Sequence, residues 1–300
     1  HAKKRLEQLK PARPNMKGFE RTPLGNVALE TDRFKVLFSG LHGGIILLES
    51  KTYGNNFASE RNALGVAAYQ TFGEREAIRY LKQYCYVKTA PPEWFENDFS
   101  KPGLGKILTE GSRWEFVMRS AWTNEGNGAS EVLIELSPPA SAGETFGCPK
   151  RAWTLWRFPA GRDEVELTFS WFEKSASRVP EALWLNFSPS DVAPGSWRFE
   201  KLGKWISPHD VILNGGRRLH AVQRGVRCDA AGREMMIETL DAPLVAPGAP
   251  ALCEHNNRRP PLKRGVHFNL FNNIWGTNFP QWSAKPEMFR YIIKIGQTHF

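Results

Sequence analysis

The stretch with the most suggestive chemistry, residues 266–282, combines amide and aromatic side chains. It begins with the strand-like pattern VHFNLF and continues into a loop whose candidate residues are Asn272, Asn273, Trp275, Thr277, Asn278 and Trp282. Amides offer donors and acceptors to sugar hydroxyls, and flat aromatic rings suit the C–H faces of a sugar. The same residues could instead anchor an ordered loop, with the rings in a core and the amides holding turns. Both interpretations remain open at this point.

No spacing in the chain selects a pair of acid–base residues. A sugar mutarotase would need a carboxylate base and a histidine acid on one sheet face. His220 or His267 could be combined with Glu238 or Glu254 in this way. A hydrogen-bonded structural histidine is the alternative for both, so no catalytic residue is assigned.

The histidines and cysteines do not indicate a metal or cofactor site. None of the seven histidines falls in an H-E-x-x-H motif, and the four cysteines form no C-x-x-C pair. Buried free thiols are therefore expected. His1 could chelate copper as an N-terminal residue, but the basic segment after it favours a piece cut from a longer chain.

Charge and hydropathy exclude several functional classes. The net charge of +9 is scattered along the chain without a nucleic-acid-binding motif, so nucleic acid is not expected as a partner. No apolar run is long enough to cross a bilayer, and the first residues do not resemble a signal peptide. We expect no membrane partner, and the compartment is not indicated.

The elements that must position these residues are mostly strands. Alternating apolar residues recur from about residue 26 to the end, separated by Gly, Pro and Asn turns, with hairpin chemistry at Asn214–Gly215–Gly216. Residues 73–84 predict one internal helix with Ala77, Ile78 and Leu81 on one face. The pattern favours an all-β fold of two antiparallel sheets packed face to face. Residues 1–18 are read as the end of a helical segment with a connector, and residues 19–300 as one sandwich domain.

Several segments together resemble the C-terminal half of a glycoside hydrolase family 38-like family related to the class II α-mannosidases. They occur in order along the chain: AAYQTF (67–72), RYLKQY (79–84), DFSKPGL (98–104), PEALWLNF (180–187), GGRRLHAV (215–222), TLDAPLVAPG (239–248) and FNLFNNIWGTNFPQW (268–282). The last two are the most specific.

The resemblance implies a large β super-sandwich of the galactose-mutarotase-like type, preceded by a short helix tail. In that architecture an α/β barrel carries the nucleophile and the metal ligands. The barrel has no counterpart in this sequence, so no cofactor is expected in this chain, and a divalent metal such as zinc would belong to the missing catalytic domain.

Two functions are compatible with the resemblance. In the first, the chain is the carbohydrate-associated sandwich of a glycosidase-like enzyme, which shapes the sugar cleft and supports the barrel. In the second, it is a stand-alone sugar-binding or mutarotase-like protein. In both cases the loop residues named above are predicted to face the substrate, with Asp241 and His220 as weaker candidates.

Overall fold

Two antiparallel sheets contain most of the regular secondary structure of the described residues. The computed structural model describes residues 10–85, 101–126, 128–276 and 280–297. In these residues, ten strands form the first sheet, in the order β1 (Glu20–Arg21), β7 (Val117–Gly126), β8 (Ala129–Ser137), β9 (Ala152–Pro159), β10 (Glu164–Trp171), β19 (Glu287–Gly296), β16 (Arg233–Thr239), β15 (Gly225–Ala230), β12 (Arg198–Lys201) and β13 (Lys204–Ile206).

The second sheet has nine strands within the same described ranges. Eight of them follow one another in the order β14 (His220–Ala221), β17 (Leu244–Pro247), β18 (Val266–Asn272), β11 (Glu181–Phe187), β5 (Leu64–Thr71), β4 (Ile45–Ser50), β3 (Phe34–Phe38) and β2 (Val27–Glu30). The ninth, β6 (Arg113–Glu115), pairs with β5. Strand β4 pairs with β5 only at Ile45 and Leu64, whereas β6 pairs with β5 from Ala68 onward.

Alternation along the strands places the core between the sheets. In β10, Val165, Leu167 and Phe169 are buried in the main apolar cluster, while Glu164 and Glu166 point away from it. Strands of the second sheet contribute residues such as Leu185 and Phe268 to the same cluster. Because side chains of a strand alternate between its faces, each sheet also has an outer face.

Glycine allows one close contact across the sandwich. Gly65 of β5 adopts a φ of +75°, and a side chain there would collide with the indole ring of Trp156 from the facing sheet. Because glycine has no Cβ and tolerates this left-handed conformation, Trp156 of β9 can approach the backbone of β5.

The predicted internal helix is confirmed as α1 (Glu74–Tyr84), but it is less buried than expected. None of its residues is fully buried, and Ile78 is 45% exposed rather than part of a core-facing stripe. Tyr80 is the helical residue that packs against an apolar cluster. A short helix α2 (Ala140–Gly143) and the 3₁₀ turns Leu104–Lys106 and Leu262–Arg264 complete the described elements.

Two further expectations concern the loops and the start of the chain. The hairpin expected at Asn214 is wrong, since no strand lies between β13 and β14; Asn257 hydrogen-bonds to Asn214 instead. Residues 1–9 of the expected helix tail lie outside the described residues, so the domain boundary at residue 18 stays a prediction. No helix among the described residues has the length and apolar character needed to span a bilayer.

Candidate functional site

A cavity of about 1160 Å³ lies on the outer face of the nine-stranded sheet, and we call it the outer-face cavity. Its floor comes from strands β18, β11, β5 and β6, at positions that alternate with core residues. The polar floor residues are His267, Asn186, Arg113 and Glu115. Strand β5 pairs with β4 at its start and with β6 from Ala68 onward. The turns around the junction between β4 and β6 surround the floor of the cavity.

Three turns form the walls of the outer-face cavity: residues 39–42, residues 60–63, and the 3₁₀ turn before β18 together with residues 248–250. The first two turns are fixed by local hydrogen bonds. The Ser39 amide donates to the Gly44 carbonyl at 2.9 Å, and the Asn62 amide donates to the Ser59 carbonyl at 3.0 Å. The side chain of Asn62 also donates to Ser188 Oγ at 3.3 Å, which joins this wall to the end of β11.

Asn186 and His267 form a polar pair in the cavity floor. Asn186 Nδ2 donates to the Val266 carbonyl at 3.1 Å and lies 3.3 Å from His267 Nδ1. Burial, reinforced by the nearby Arg113, lowers the pKa of His267 to about 3, so the imidazole is neutral at neutral pH. Within the described part of the chain, Asn186 Oδ1 accepts no hydrogen bond. It is therefore available to a ligand.

A second histidine lies in the wall. His42 is half-buried, and its Nδ1 accepts a hydrogen bond from the Gly44 amide at 3.1 Å. Burial lowers the pKa of His42, while the carboxylates of Glu115 and Glu60 oppose the shift. A histidine and carboxylates that interact electrostatically in one cavity are suitable for proton transfer.

Charged residues around the outer-face cavity are predominantly cationic. Four cations and two carboxylates line it: Arg61, Arg113, Lys263, Arg264, Glu60 and Glu115. All six side chains are exposed. Among the described residues, none of the six forms a salt bridge.

The predicted loop surrounds a different cavity of about 840 Å³, which we call the loop cavity. The structure brings together four of its predicted residues there: Asn272, Asn273, Trp275 and Trp282. The other two, Thr277 and Asn278, lie outside the described residues. The four described loop residues therefore share a cavity, and contact of the loop with substrate stays a prediction.

The two described asparagines of this loop, Asn272 and Asn273, are already engaged in hydrogen bonds. Asn273 is 2% exposed; its Oδ1 accepts from the Glu181 amide at 2.7 Å, and its Nδ2 donates to backbone carbonyls that include Gln281. Asn272 Nδ2 donates to Asn269 Oδ1 at 2.7 Å. Trp282 is 46% exposed, and the guanidinium of Arg178 lies 4.5 Å from its ring centroid. The anchoring interpretation therefore describes Asn273, whereas Trp282 keeps an accessible surface.

The two weaker candidates lie apart from both cavities. Lys201 Nζ donates to His220 Nδ1 at 2.8 Å, and His220 Nε2 donates to the Arg217 carbonyl at 3.2 Å. Burial and Lys201 lower the pKa of His220 to about 4. Asp241 accepts three hydrogen bonds from Arg290, one from the backbone and two from the guanidinium. Neither residue lines the outer-face cavity or the loop cavity.

A buried ionic group, which we call the closed cluster, lies under the predicted loop and consists of Lys174, Glu181 and Tyr69. Lys174 Nζ forms a salt bridge with Glu181, and both side chains are fully buried. Tyr69 donates to Glu181 Oε2 at 2.6 Å, and Lys174 Nζ lies 4.9 Å from the ring centroid of Phe271. Burial raises the pKa of Glu181 against the opposing effect of Lys174. The cluster joins the start of β11 to β5 and to the segment that follows β10.

Sequence reasoning missed most of the outer-face cavity. The sequence-based hypothesis combined His267 with Glu238 or Glu254 as an acid–base pair. In the structure, Glu238 forms a salt bridge with Lys294 on the other sheet, and Glu254 forms one with Arg218. The available signal was a polar Asn186 in the otherwise apolar strand LWLNF. Among the described residues, no group of three or more His, Cys, Asp or Glu side chains is arranged to hold a metal ion.

The first 166 residues match the family model described as a domain of unknown function, DUF5054. Among curated proteins, none matches the chain.

Solved structures of glycosidases share the fold. An α-mannosidase from Enterococcus faecalis V583 aligns with a TM-score of 0.56 at 10% identity, over 90% of this chain and 29% of its own. A glycosyl hydrolase family 38 protein from Enterococcus faecalis aligns with a TM-score of 0.54, also at 10% identity, over 90% of this chain and 30% of its own. This chain thus spans about 30% of the length of these proteins.

A galactose mutarotase-like protein from Lactobacillus casei ATCC 334 aligns over 90% of this chain and 100% of its own, with a TM-score of 0.44 at 11% identity. The predicted all-β fold of two antiparallel sheets is confirmed, and the predicted resemblance to family 38-like proteins is confirmed at the level of the fold.

Proposed function

The chain belongs to the DUF5054 family, and from that premise we propose that it is the carbohydrate-associated C-terminal sandwich of a glycosidase-like, α-mannosidase-related protein. In this proposal the sandwich binds sugar and shapes one side of the substrate cleft. The bond-breaking groups and any catalytic metal belong to a barrel domain outside this chain. The likeness to mannosidases that are about three times longer supports this division of labour.

The observation that carries the proposal is the set of side chains around the outer-face cavity. Asn186 and Asn62 supply amides, Glu115 supplies a carboxylate, and Leu41 and Pro250 supply apolar surface in one cavity of about 1160 Å³. Sugars need this mixture, because their hydroxyls require both donors and acceptors while their C–H faces are apolar. The free Oδ1 of Asn186 is an acceptor aimed at no described residue.

Exposed apolar side chains support a partner domain. Leu202 is 94% exposed, Ile212 82% and Leu213 74%, all in turns of the second half of the chain. Large apolar side chains left in water are more typical of contact surfaces than of free turns. In this proposal they belong to the surface that meets the missing domain.

Sugar binding by the full-length protein tests the proposal. A glycan array identifies ligands, and calorimetry then compares the wild type with Asn186→Ala. We expect the variant to bind at least about tenfold more weakly, because a buried polar contact is lost. Asn124→Ala is the matched control, since Asn124 forms a comparable 3.1 Å bond to Glu131 on the other sheet.

Absence of any sugar ligand on the array would overturn the proposal. Equal weakening by Asn186→Ala and Asn124→Ala would overturn the placement of the site in the outer-face cavity.

A second candidate, a mutarotase-like activity, is favoured by His42. This histidine shares the outer-face cavity with Glu115 and Glu60, whose charges act on it. In such an activity, a carboxylate and His42 would divide the two proton transfers: one group removes the proton of the anomeric hydroxyl, and the other protonates the ring oxygen as the ring opens. Exchange of sugar anomers followed by NMR tests it: His42→Gln should slow the exchange, and a wild-type rate equal to the buffer background would exclude this candidate.

A further inference from the structure

Among the described residues, the four cations of the outer-face cavity form no salt bridge, whereas three arginines of the ten-stranded sheet pair with carboxylates. Arg227 and Arg290 on that sheet bind carboxylates at 2.8 Å, and Arg157 binds Glu166 at 2.9 Å. By contrast, Arg113 and Arg264 form no salt bridge within the described ranges. An unpaired guanidinium keeps all five of its N–H donors available.

The unpaired cations surround the cavity rather than forming one patch. Arg113 lies in the floor on β6, and Arg61 lies in the turn before β5. Lys263 and Arg264 lie in the 3₁₀ turn before β18. With Glu60 and Glu115 as the only carboxylates among the described lining residues, the surplus is two positive charges. Cavity walls concentrate the field of such a surplus at the centre.

We infer that the outer-face cavity recognises a saccharide that carries an anionic group, a carboxylate, a phosphate or a sulfate. This inference rests on the proposed sugar-binding function and names the class of ligand. A neutral sugar would leave the surplus charge uncompensated, whereas the planar fork of arginine matches the oxygens of an acidic group. A bare anion would fill only a small part of about 1160 Å³ and would leave Asn62 and Asn186 without a role.

The positions of the residues suggest how the ligand is oriented. Arg113, Asn186 and His267 all line the floor of the cavity; Arg113 acts electrostatically on His267, which hydrogen-bonds with Asn186. The acidic group would bind Arg113, and neighbouring hydroxyls would donate to Asn186 Oδ1.

Matched pairs of sugars test the inference on the full-length protein. Glucose is compared with glucuronate, mannose with mannose 6-phosphate, and galactose with galactose 6-sulfate, each by NMR titration. The acidic member of at least one pair should bind about tenfold tighter or more. The pair that shows the difference identifies the acidic group. The preference should shrink at high salt, because screening weakens attraction between accessible charges.

Two arginine variants locate the preference. Arg113→Gln should abolish it, whereas Arg162→Gln should keep it, since Arg162 is an exposed residue of the β9–β10 turn that pairs with Glu164 at 3.4 Å. Circular dichroism checks that both variants fold. If Arg113→Gln does not fold, Lys263→Gln takes its place.

Three outcomes would overturn the inference, and they differ in whether the proposed function survives. Equal affinity for neutral and acidic sugars would overturn the inference and leave the proposed function standing. Binding of inorganic phosphate or sulfate as tight as that of the acidic sugars would also overturn it, because the saccharide would then contribute nothing. Failure of every sugar to bind would overturn both.

Discussion

The two faces of the sheet around β5 and β11 both carry charged or polar side chains. The inner-face and outer-face sets differ in whether protein partners compensate their charges. The inner face contributes Tyr69 and Glu181 to the closed cluster, where Lys174 compensates the carboxylate. The outer face of β11 contributes Asn186 to the outer-face cavity, which Arg113 of β6 also lines. In the closed cluster each charge has a protein partner at close range. In the outer-face cavity the cations have none among the described residues.

Burial explains this difference. A charge removed from water is tolerated only when a partner and further hydrogen bonds replace its hydration, which is the situation of Glu181. A charge in an open cavity keeps its water until a ligand displaces it, so no internal partner is required. The closed cluster therefore contributes to the stability of the fold. In the outer-face cavity, a ligand can bind without the fold losing stability.

The largest expected effect follows from breaking the closed cluster. Glu181→Ala removes the carboxylate that pairs with Lys174 in a fully buried position. We expect the free energy of unfolding to fall by about 3–5 kcal/mol, measured by denaturant titration. Glu166→Ala is the matched control; Glu166 pairs with Arg157, both side chains remain about one-third exposed or more, and the loss should stay below about 1 kcal/mol.

A double variant separates charge from packing. Lys174→Met combined with Glu181→Leu removes both charges and keeps similar volumes, so it should be more stable than Glu181→Ala alone. Equal losses for Glu181→Ala and Glu166→Ala would mean that the closed cluster is hydrated, and the contrast with the outer-face cavity would disappear.

Acidification probes the buried histidine of the cavity floor. The folded-state pKa of His267 is about 3, below the usual 6.5, so the unfolded chain takes up a proton that the native state does not. Its contribution to stability is complete above pH 6.5 and is lost as the pH falls toward 3, at about 1.4 kcal/mol per pH unit. Between pH 7 and pH 5 the wild type should lose about 2 kcal/mol more than His267→Gln.

Denaturant titrations at the two pH values check this difference. Identical losses for the wild type and His267→Gln would show that the histidine accepts a proton in the native state. His220 provides a second case, because its pKa is also lowered, to about 4. His220→Gln should therefore reduce the acid sensitivity in the same direction.

A smaller effect is expected at the loop that covers the closed cluster. Asn273→Ala removes the acceptor of the Glu181 amide and three donor contacts to backbone carbonyls. The free energy of unfolding should fall by about 1–2 kcal/mol, because buried backbone groups lose their partners. Asn272→Ala is the control, since its side chain is less buried and its Nδ2 donates only to Asn269 among the described residues. A loss of sugar affinity without loss of stability in Asn273→Ala would instead assign Asn273 to the ligand.

Strand periodicity was sufficient to predict the sandwich. Residues such as Val165, Leu167 and Phe169 alternate with polar neighbours, and this pattern follows directly from having one buried face. It did not predict the exposure of Ile78 on α1, because an apolar stripe does not specify whether another element covers it. Likewise, the turn chemistry around Asn214 predicted a turn but could not specify that Asn257, rather than a partner strand, would hold it.

The candidate site was harder to predict because it is assembled across the sheet. Arg113, Asn186 and His267, which lie more than seventy positions from one another in sequence, line one cavity only through the pairing of β6, β5, β11 and β18. Composition drew attention to residues 266–282, where the amides and rings are adjacent in the chain. The pairing of non-consecutive strands brings the other residues together, and this topology is not readable from local patterns.

The smallest expected change in stability concerns Trp275, which lines the loop cavity and packs partly against a small apolar cluster. If this ring faces substrate, Trp275→Ala should weaken sugar binding by the full-length protein several-fold and change the free energy of unfolding by less than about 1 kcal/mol. Asn278→Ala, at a position outside the described residues, should weaken binding in the same way. Calorimetry and thermal unfolding on the same samples measure both quantities.

The result for Trp275→Ala decides whether the loop contributes to the stability of the fold, as the closed cluster does, or to ligand binding. Asn273 ties the loop to the closed cluster, whereas Trp282 keeps nearly half of its surface exposed. A loss of about 3–5 kcal/mol on Trp275→Ala, as for deletion of a core aromatic, would make the loop an extension of the closed cluster. Weaker binding at unchanged stability would make the loop cavity a second contact for the sugar. If one glycan spans both cavities, its affinity should then also fall in the Asn186→Ala variant of the outer-face cavity.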